Sequence, residues 1–239
     1  MSLATRIFIG LAASAAALPT AAGAAAAGEL AVSYFTAVER GDPDFHTTGC
    51  CVFPKHLVQA TLGPGGLPLL SAEYGSGDKG YVVHDVNRFG EIAWWTPGPT
   101  IASTGFGVAA LPIENEHFFP PNGVGPDNAH GFQTAVFRGI LHVPAAGPVQ
   151  FTVGADDVAF VYLDGALVAD VGGVHPRVTL PVVSQLLQPG DYCLALFYAD
   201  LYPDHAKLSF AIDTPGIIVT AADDRTAATT PARCSVPVS

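Results

Sequence analysis

The most informative hydrophobic pattern in the chain lies between Phe151 and His175, FTVGADDVAFVYLDGALVADVGGVH. An apolar run from Val158 to Leu163 meets Asp164-Gly165, and that pair predicts a type I′ hairpin, whose two central residues need φ > 0. The return strand Ala166–Val171 ends at Gly172-Gly173, where the backbone must bend or be approached closely. Further strands are predicted at Leu30–Val38, Phe132–Val143, Val178–Val183 and Tyr192–Ala199. The last of these is apolar on both faces, as in a strand inside a sandwich. Ala206–Asp213 alternates, with Leu208, Phe210 and Ile212 inward and Lys207, Ser209 and Asp213 outward. Between the strands, polar or Gly/Pro turns fall at 41–45, 63–66, 145–148 and 189–191, and Phe118-Phe119-Pro120-Pro121 opens a long loop. Pro54–Leu62 predicts a short helix. Of the adjacent Trp94 and Trp95, one is expected in the core and one at the surface, where a sugar could stack on it.

Composition fixes the class. The 239 residues include 26 Gly and 20 Pro, and with β-branched and aromatic runs between them the expectation is an all-β, antiparallel sandwich. Residues 1–27 carry Arg6, then an uncharged run rich in alanine with A-x-A sites, the layout of a secretory signal peptide. The expected division is a signal peptide at 1–27, a sandwich at 28–214 and a C-terminal tail at 215–239. No later stretch is long enough to span a bilayer, so a secreted, extracellular or cell-surface protein is expected rather than an integral membrane one. Loss of residues 1–27 removes one of ten basic residues and none of the 21 acidic ones, leaving 9 against 21, a net −12. Such a surface repels phosphate backbones and argues against nucleic acid as a partner. Cys50, Cys51, Cys193 and Cys234 predict disulfides in an exported chain. Three connectivities are possible, and the strain of a vicinal bridge favours Cys50 and Cys51 each reaching a different partner, Cys193 and Cys234.

The candidate chemistry sits in the central hairpin. Asp156 and Asp157 are adjacent carboxylates at the mouth of a buried strand pair. Two like charges there are costly unless neutralised, and a hard cation with oxygen ligands would do so; the plain alternative is that both cap a surface turn. No G-x-S-x-G elbow or H-E-x-x-H is present, and the eight histidines are scattered, so an enzyme is not expected.

The segments FFPPNGVG (118–125), FTVGADDVAFVYLDGALVADVGGVH (151–175) and LALFYADLYPDHAKLSFAIDT (194–214) resemble the fibro-slime domain, with looser matches at GDPDF (41–45) and LGPGGLPLL (62–70). That family is similar to the protective-antigen-type (PA-fourteen) β-sandwich superfamily, which includes flocculin-like adhesin domains. The resemblance implies a jelly-roll-like sandwich in which two consecutive aspartates, joined by a cis peptide, hold a calcium ion that coordinates sugar hydroxyls. By that mapping the metal set is Asp156, Asp157 and Asp200 with the carbonyl of Tyr202, and Asp204, His205 and His175 are candidates to touch the ligand. Ala155 and Ala159 stand where the family carries an acid and a tryptophan, and Asp200 where flocculin-type domains present an asparagine.

Three functions are therefore in view. The first is an exported, calcium-dependent carbohydrate-binding or adhesion module whose partner is a glycan or cell-surface polysaccharide. The second is a structural component of an extracellular matrix, sheath or surface filament, self-associating and holding calcium only to stiffen the fold. The third is an accessory domain that binds a protein through its loops. An open coordination sphere separates the first from the second, which should close its metal with protein oxygens.

Overall fold

A computed structural model describes residues 27–37, 42–45, 56–75, 82–115, 132–202 and 206–222. The strands within them are β1 (Ala27–Ala37), β2 (Val58–Leu62), β3 (Pro68–Leu70), β4 (Ile101–Ala110), β5 (Ile113–Asn115), β6 (Gln133–Val143) and β7 (Gln150–Asp156). They continue with β8 (Val158–Leu163), β9 (Ala166–Val171), β10 (Val178–Val183), β11 (Gly190–Ala199), β12 (Lys207–Ile212) and β13 (Ile218–Ala221). One helical turn, α1 (Ala72–Gly75), follows β3. The strands form two sheets, one ordered β3-β2-β9-β8-β11-β6-β13-β1-β4 and one ordered β10-β7-β12-β5. Pairing is antiparallel except where Ala27 and Gly28 run parallel to β13. This is the all-β sandwich that the sequence predicts.

The hairpin is the backbone of the large sheet. Asp164 and Gly165 take φ of 47° and 78°, the two left-handed residues of the expected turn. Asp164 Oδ1 accepts the Cys193 N–H at 2.8 Å and Asp164 N–H donates to the Cys193 carbonyl at 2.8 Å, fastening the turn to β11. Every side chain of β8 is buried. Ala159, Val161 and Leu163 face the small sheet and share one core with Leu194 and Leu196 of β11 and with Phe151 and Phe210 of the small sheet. Val158, Phe160 and Tyr162 face the opposite way, under a cover built from residues 42–45, 56–75 and 82–95. The large sheet therefore has a core on each face, which is why β8 and β11 read as continuous apolar runs.

Both tryptophans belong to that second core, which corrects the expectation of one at the surface. Trp94 and Trp95 are 0% and 3% exposed, and the Trp95 ring packs edge-on to Phe197 and Phe160 at centroid distances of 5.1 and 6.2 Å. Each indole N–H has an acceptor, Asp44 Oδ2 at 2.9 Å for Trp94 and the Tyr198 carbonyl at 2.7 Å for Trp95. A buried amphipathic ring needs such a partner, and the sheet supplies it. In the turn at 42–45 the side chains of Asp42, Asp44 and Phe45 are buried while Pro43 is exposed.

Two further elements depart from the sequence reading. Within the stretch predicted as a helix, Val58–Leu62 is strand β2, because the Leu62 N–H donates to the Gly165 carbonyl at 3.0 Å and Thr61 pairs with Ala166. The sheet edge outweighs the local helical pattern. The sandwich also runs past residue 214, since β13 inserts between β6 and the start of β1. At the far edge, β4 exposes Phe106 and Val108.

Two outcomes are expected. Phe160→Ala, in the centre of the second core, lowers the unfolding free energy by about 3–5 kcal/mol in urea denaturation. Asp170 on β9 accepts the Val58 N–H at 3.5 Å, and burial raises its carboxyl to about 6, opposed by the Val58 N–H, His56 and the Leu57 N–H. The folded state thus holds this proton more tightly than an unfolded chain with a carboxyl near 3.9, so Asp170 makes stability fall as pH rises between about 4 and 6. Asp170→Asn flattens that part of the curve, measured by denaturation across pH.

Candidate functional site

Register brings the site together. β8 pairs with β11 so that Val158 faces Ala199, the last rung of the ladder. One step further, Asp157 and Asp200 leave their strands side by side. On the other sheet, Asp156 is the last rung of β7 opposite Lys207 of β12. The Asp156–Asp157 step is thus the passage from the small sheet to the large one. Its peptide bond is cis, as the family resemblance implies.

Asp157 is 1% exposed, and both of its oxygens accept backbone N–H groups, Oδ1 from His175 at 2.9 Å and Oδ2 from Leu201 at 2.8 Å. Asp200 is 0% exposed; its Oδ1 accepts the Tyr202 N–H at 3.3 Å, and its Oδ2 is buried with no hydrogen-bond partner. The two carboxyl groups also interact directly through their side chains. Burial raises Asp157 to about 6, against the pull of the two N–H donors and of Asp200. Burial first, and then the Asp157 charge, push Asp200 well above the usual carboxylate range. Two carboxyls this close and this deep cannot both ionise without a counter-charge. Among the described residues the groups acting on them are N–H donors and other carboxyls, with no lysine or arginine.

Tyr198 ties the two sheets at this end. Its hydroxyl donates to the Asp156 carbonyl at 2.7 Å, and its ring is fully buried. Burial, then Asp200, Asp157 and Asp156, raise that hydroxyl above its ordinary value, so it stays a donor. Sequence reading missed this residue, because a tyrosine in an apolar strand carries no mark of its hydroxyl's destination.

Of the residues singled out from sequence, the structure gathers Asp157 and Asp200 and places Asp156 and Tyr202 beside them. Among the described residues no three His, Cys, Asp or Glu side chains form a ready-made metal cluster, so the carboxyl pair is the centre of the site. The Tyr202 carbonyl accepts the Phe132 N–H at 3.1 Å and keeps a second lone pair. Tyr202 itself is 37% exposed and Asp156 half-buried, so the site reaches the surface there. His175 is buried; its N–H serves Asp157 and its Nδ1 lies 2.9 Å from the Pro176 carbonyl. Asp204 and His205 lie outside the described residues, as does the loop at 118–125. Cys193 is disulfide-bonded; Cys50, Cys51 and Cys234 lie outside the described residues.

No family model matches the chain. Among solved structures it is similar to a PA14 sugar-binding domain from an RTX adhesin, at 26% identity over 33% of this chain and 44% of that one, with a TM-score of 0.30. It is also similar to the PA14 domain of the antifreeze protein MpAFP, at 17% identity over 38% and 53%, with a TM-score of 0.31. A family 35 carbohydrate-binding module from an environmental isolate matches at 15% identity over 47% and 88%, with a TM-score of 0.30. The chain spans about half the length of the first two. No helix among the described residues is long and apolar enough to cross a membrane.

Tyr198→Phe removes the donor to the buried Asp156 carbonyl. The expected loss is about 1–3 kcal/mol, read as a lowered midpoint in thermal and urea unfolding.

Proposed function

We propose that this protein is an exported, calcium-dependent carbohydrate-binding or adhesion module centred on Asp157 and Asp200. The observation that carries the reading is the buried carboxyl pair, with Asp200 Oδ2 unpartnered and no lysine or arginine among the described residues to offset it. The donor set suits a hard cation, since carboxylate and carbonyl oxygens are what calcium takes, six to eight of them at roughly 2.3–2.6 Å. Asp157 and Asp200 would hold the ion, with Asp156 and the Tyr202 carbonyl as the neighbouring oxygens. Bound there, calcium would neutralise the pair and offer its remaining positions to vicinal hydroxyls of a sugar.

The chain's own residues prepare that arrangement. The N–H groups of His175 and Leu201 orient the Asp157 carboxylate from two sides. The Tyr202 N–H fixes Asp200 through one oxygen and leaves the other to a ligand. Tyr202 presents a half-exposed ring beside the pair, a surface on which an apolar sugar face could rest. The fibro-slime-like run through Gly172-Gly173-Val174-His175 supports the same reading, because its last residue supplies one of the two orienting N–H groups.

One observation favours the second reading, a structural component of an extracellular assembly: Asp157 and Asp200 are 1% and 0% exposed, as in an ion enclosed by protein. Titrating calcium calorimetrically into chelator-treated protein, alongside Asp157→Asn/Asp200→Asn, separates the cases. A calcium equivalent lost in the double variant, together with glycan-array binding that needs calcium, is the expected result. The same equivalent with a raised melting temperature and no glycan signal selects the structural reading. Calcium binding identical in wild type and variant removes both.

A further inference from the structure

Asp42, Asp44 and Asp85 bring three carboxyl groups into the cover layer, and they are not equivalent. Asp44 is saturated. Its Oδ1 accepts the His84 N–H at 2.8 Å and lies 3.0 Å from His84 Nδ1, while its Oδ2 accepts the N–H groups of Asp85 and of the Trp94 indole, each at 2.9 Å. Asp42 is not. Its Oδ1 accepts the Asp44 N–H at 2.9 Å, but its Oδ2, on a residue 1% exposed, has no hydrogen-bond partner. The Asp42 side chain is aimed at the carboxyl of Asp85 and the side chain of Thr100, both half-buried. Among the described residues the charged groups acting on Asp42 and Asp85 are carboxyls, and the nearby base His84 is taken up by Asp44.

A buried carboxylate whose Oδ2 finds no partner within hydrogen-bond distance, on a side chain that interacts with a second carboxyl and with the Thr100 hydroxyl, has room in its shell for a cation. We propose that Asp42 and Asp85, with the Thr100 hydroxyl, form a second divalent-cation site, separate from Asp157 and Asp200 and suited to calcium by its all-oxygen donors. Asp44 stands behind it as the anchor that fixes the backbone of Asp85 and the ring of Trp94. The ion would tie three stretches together: the turn at 42–45, the strand-free segment at 82–85 and the approach to β4 at Thr100. Those stretches frame the tryptophan plug of the second core, so this site governs the seating of the cover and not the contact with a glycan. With two carboxylates and one hydroxyl from side chains, the remaining positions fall to backbone carbonyls and water.

The test is the number of calcium equivalents taken up by chelator-treated full-length protein in calorimetric titration, with circular dichroism to verify folding. Wild type is expected to bind two. Asp42→Asn/Asp85→Asn is expected to bind one and to keep the equivalent that depends on Asp157 and Asp200. Thr100→Val, which leaves both carboxylates in place, is expected to weaken one equivalent by roughly tenfold or more, and it decides the matter if the double variant does not fold. Uptake unchanged by these substitutions overturns the second site. A single equivalent lost in Asp42→Asn/Asp85→Asn and retained in Asp157→Asn/Asp200→Asn upholds it and removes the calcium reading of the first, so the two failures are distinct.

Discussion

The antiparallel ladder between β8 and β11 determines what else the molecule can do. Its register sets Val158 against Ala199 and, one residue beyond the ladder, Asp157 against Asp200. Shifting β8 by one residue against β11 would move Phe160 and Tyr162 from the tryptophan-lined core to the face of the small sheet and would separate the two acids. The cores on both faces of the strand pair hold that register, the Asp164-Gly165 turn fixes it at one end, and the Tyr198 hydroxyl clasps the small sheet at the other. Fold and site therefore rest on one constraint.

The acids of this chain fall into two populations, which net charge does not separate. Asp157, Asp200, Asp42 and Asp44 are buried, as is Glu91, whose carboxylate accepts the Gly65 N–H at 2.6 Å and the Asn87 amide at 2.7 Å. Glu91 and Asp44 are satisfied by donors and act as fasteners of the turns around them. Asp42 and Asp200 each keep one oxygen without a donor. A buried polar group left unpaired is costly, so an added positive charge would stabilise the fold at both positions, as it would at Asp170, whose Oδ1 is likewise buried without a partner. A surface-turn reading of adjacent aspartates overlooks this, because it weighs the charges and not the donors.

Much of the sheet was legible in the sequence and much of the cover was not. The hairpin at 158–171 and the strands around Phe132–Val143, Tyr192–Ala199 and Ala206–Asp213 announce themselves through alternation, apolar runs and a turn pair with a single geometric use. β2 carries a pattern that serves helix and strand alike, and only the free edge of β9 decides it. β4 has glycines and small residues that give no strand signal, and β13 lies in a stretch whose composition resembles a tail. The site was half legible. The aspartate pair and Asp200 are marked by the family-like run, but which two carboxyls meet depends on a ladder register that no local pattern contains. The burial of Asp42 and Asp44 depends on Trp94, a residue fifty positions away in the chain from Asp44.

The hairpin also gives the molecule a direction. The turn at Asp164-Gly165 and the acidic step at Asp157 lie at opposite ends of β8, about 23 Å apart for the seven steps from Asp157 to Asp164 along an extended strand. Gly165 has open space where a side chain would stand. A tether or reporter attached beside that turn would leave the paired carboxyls at the far pole, facing away from any support to which the protein is fixed.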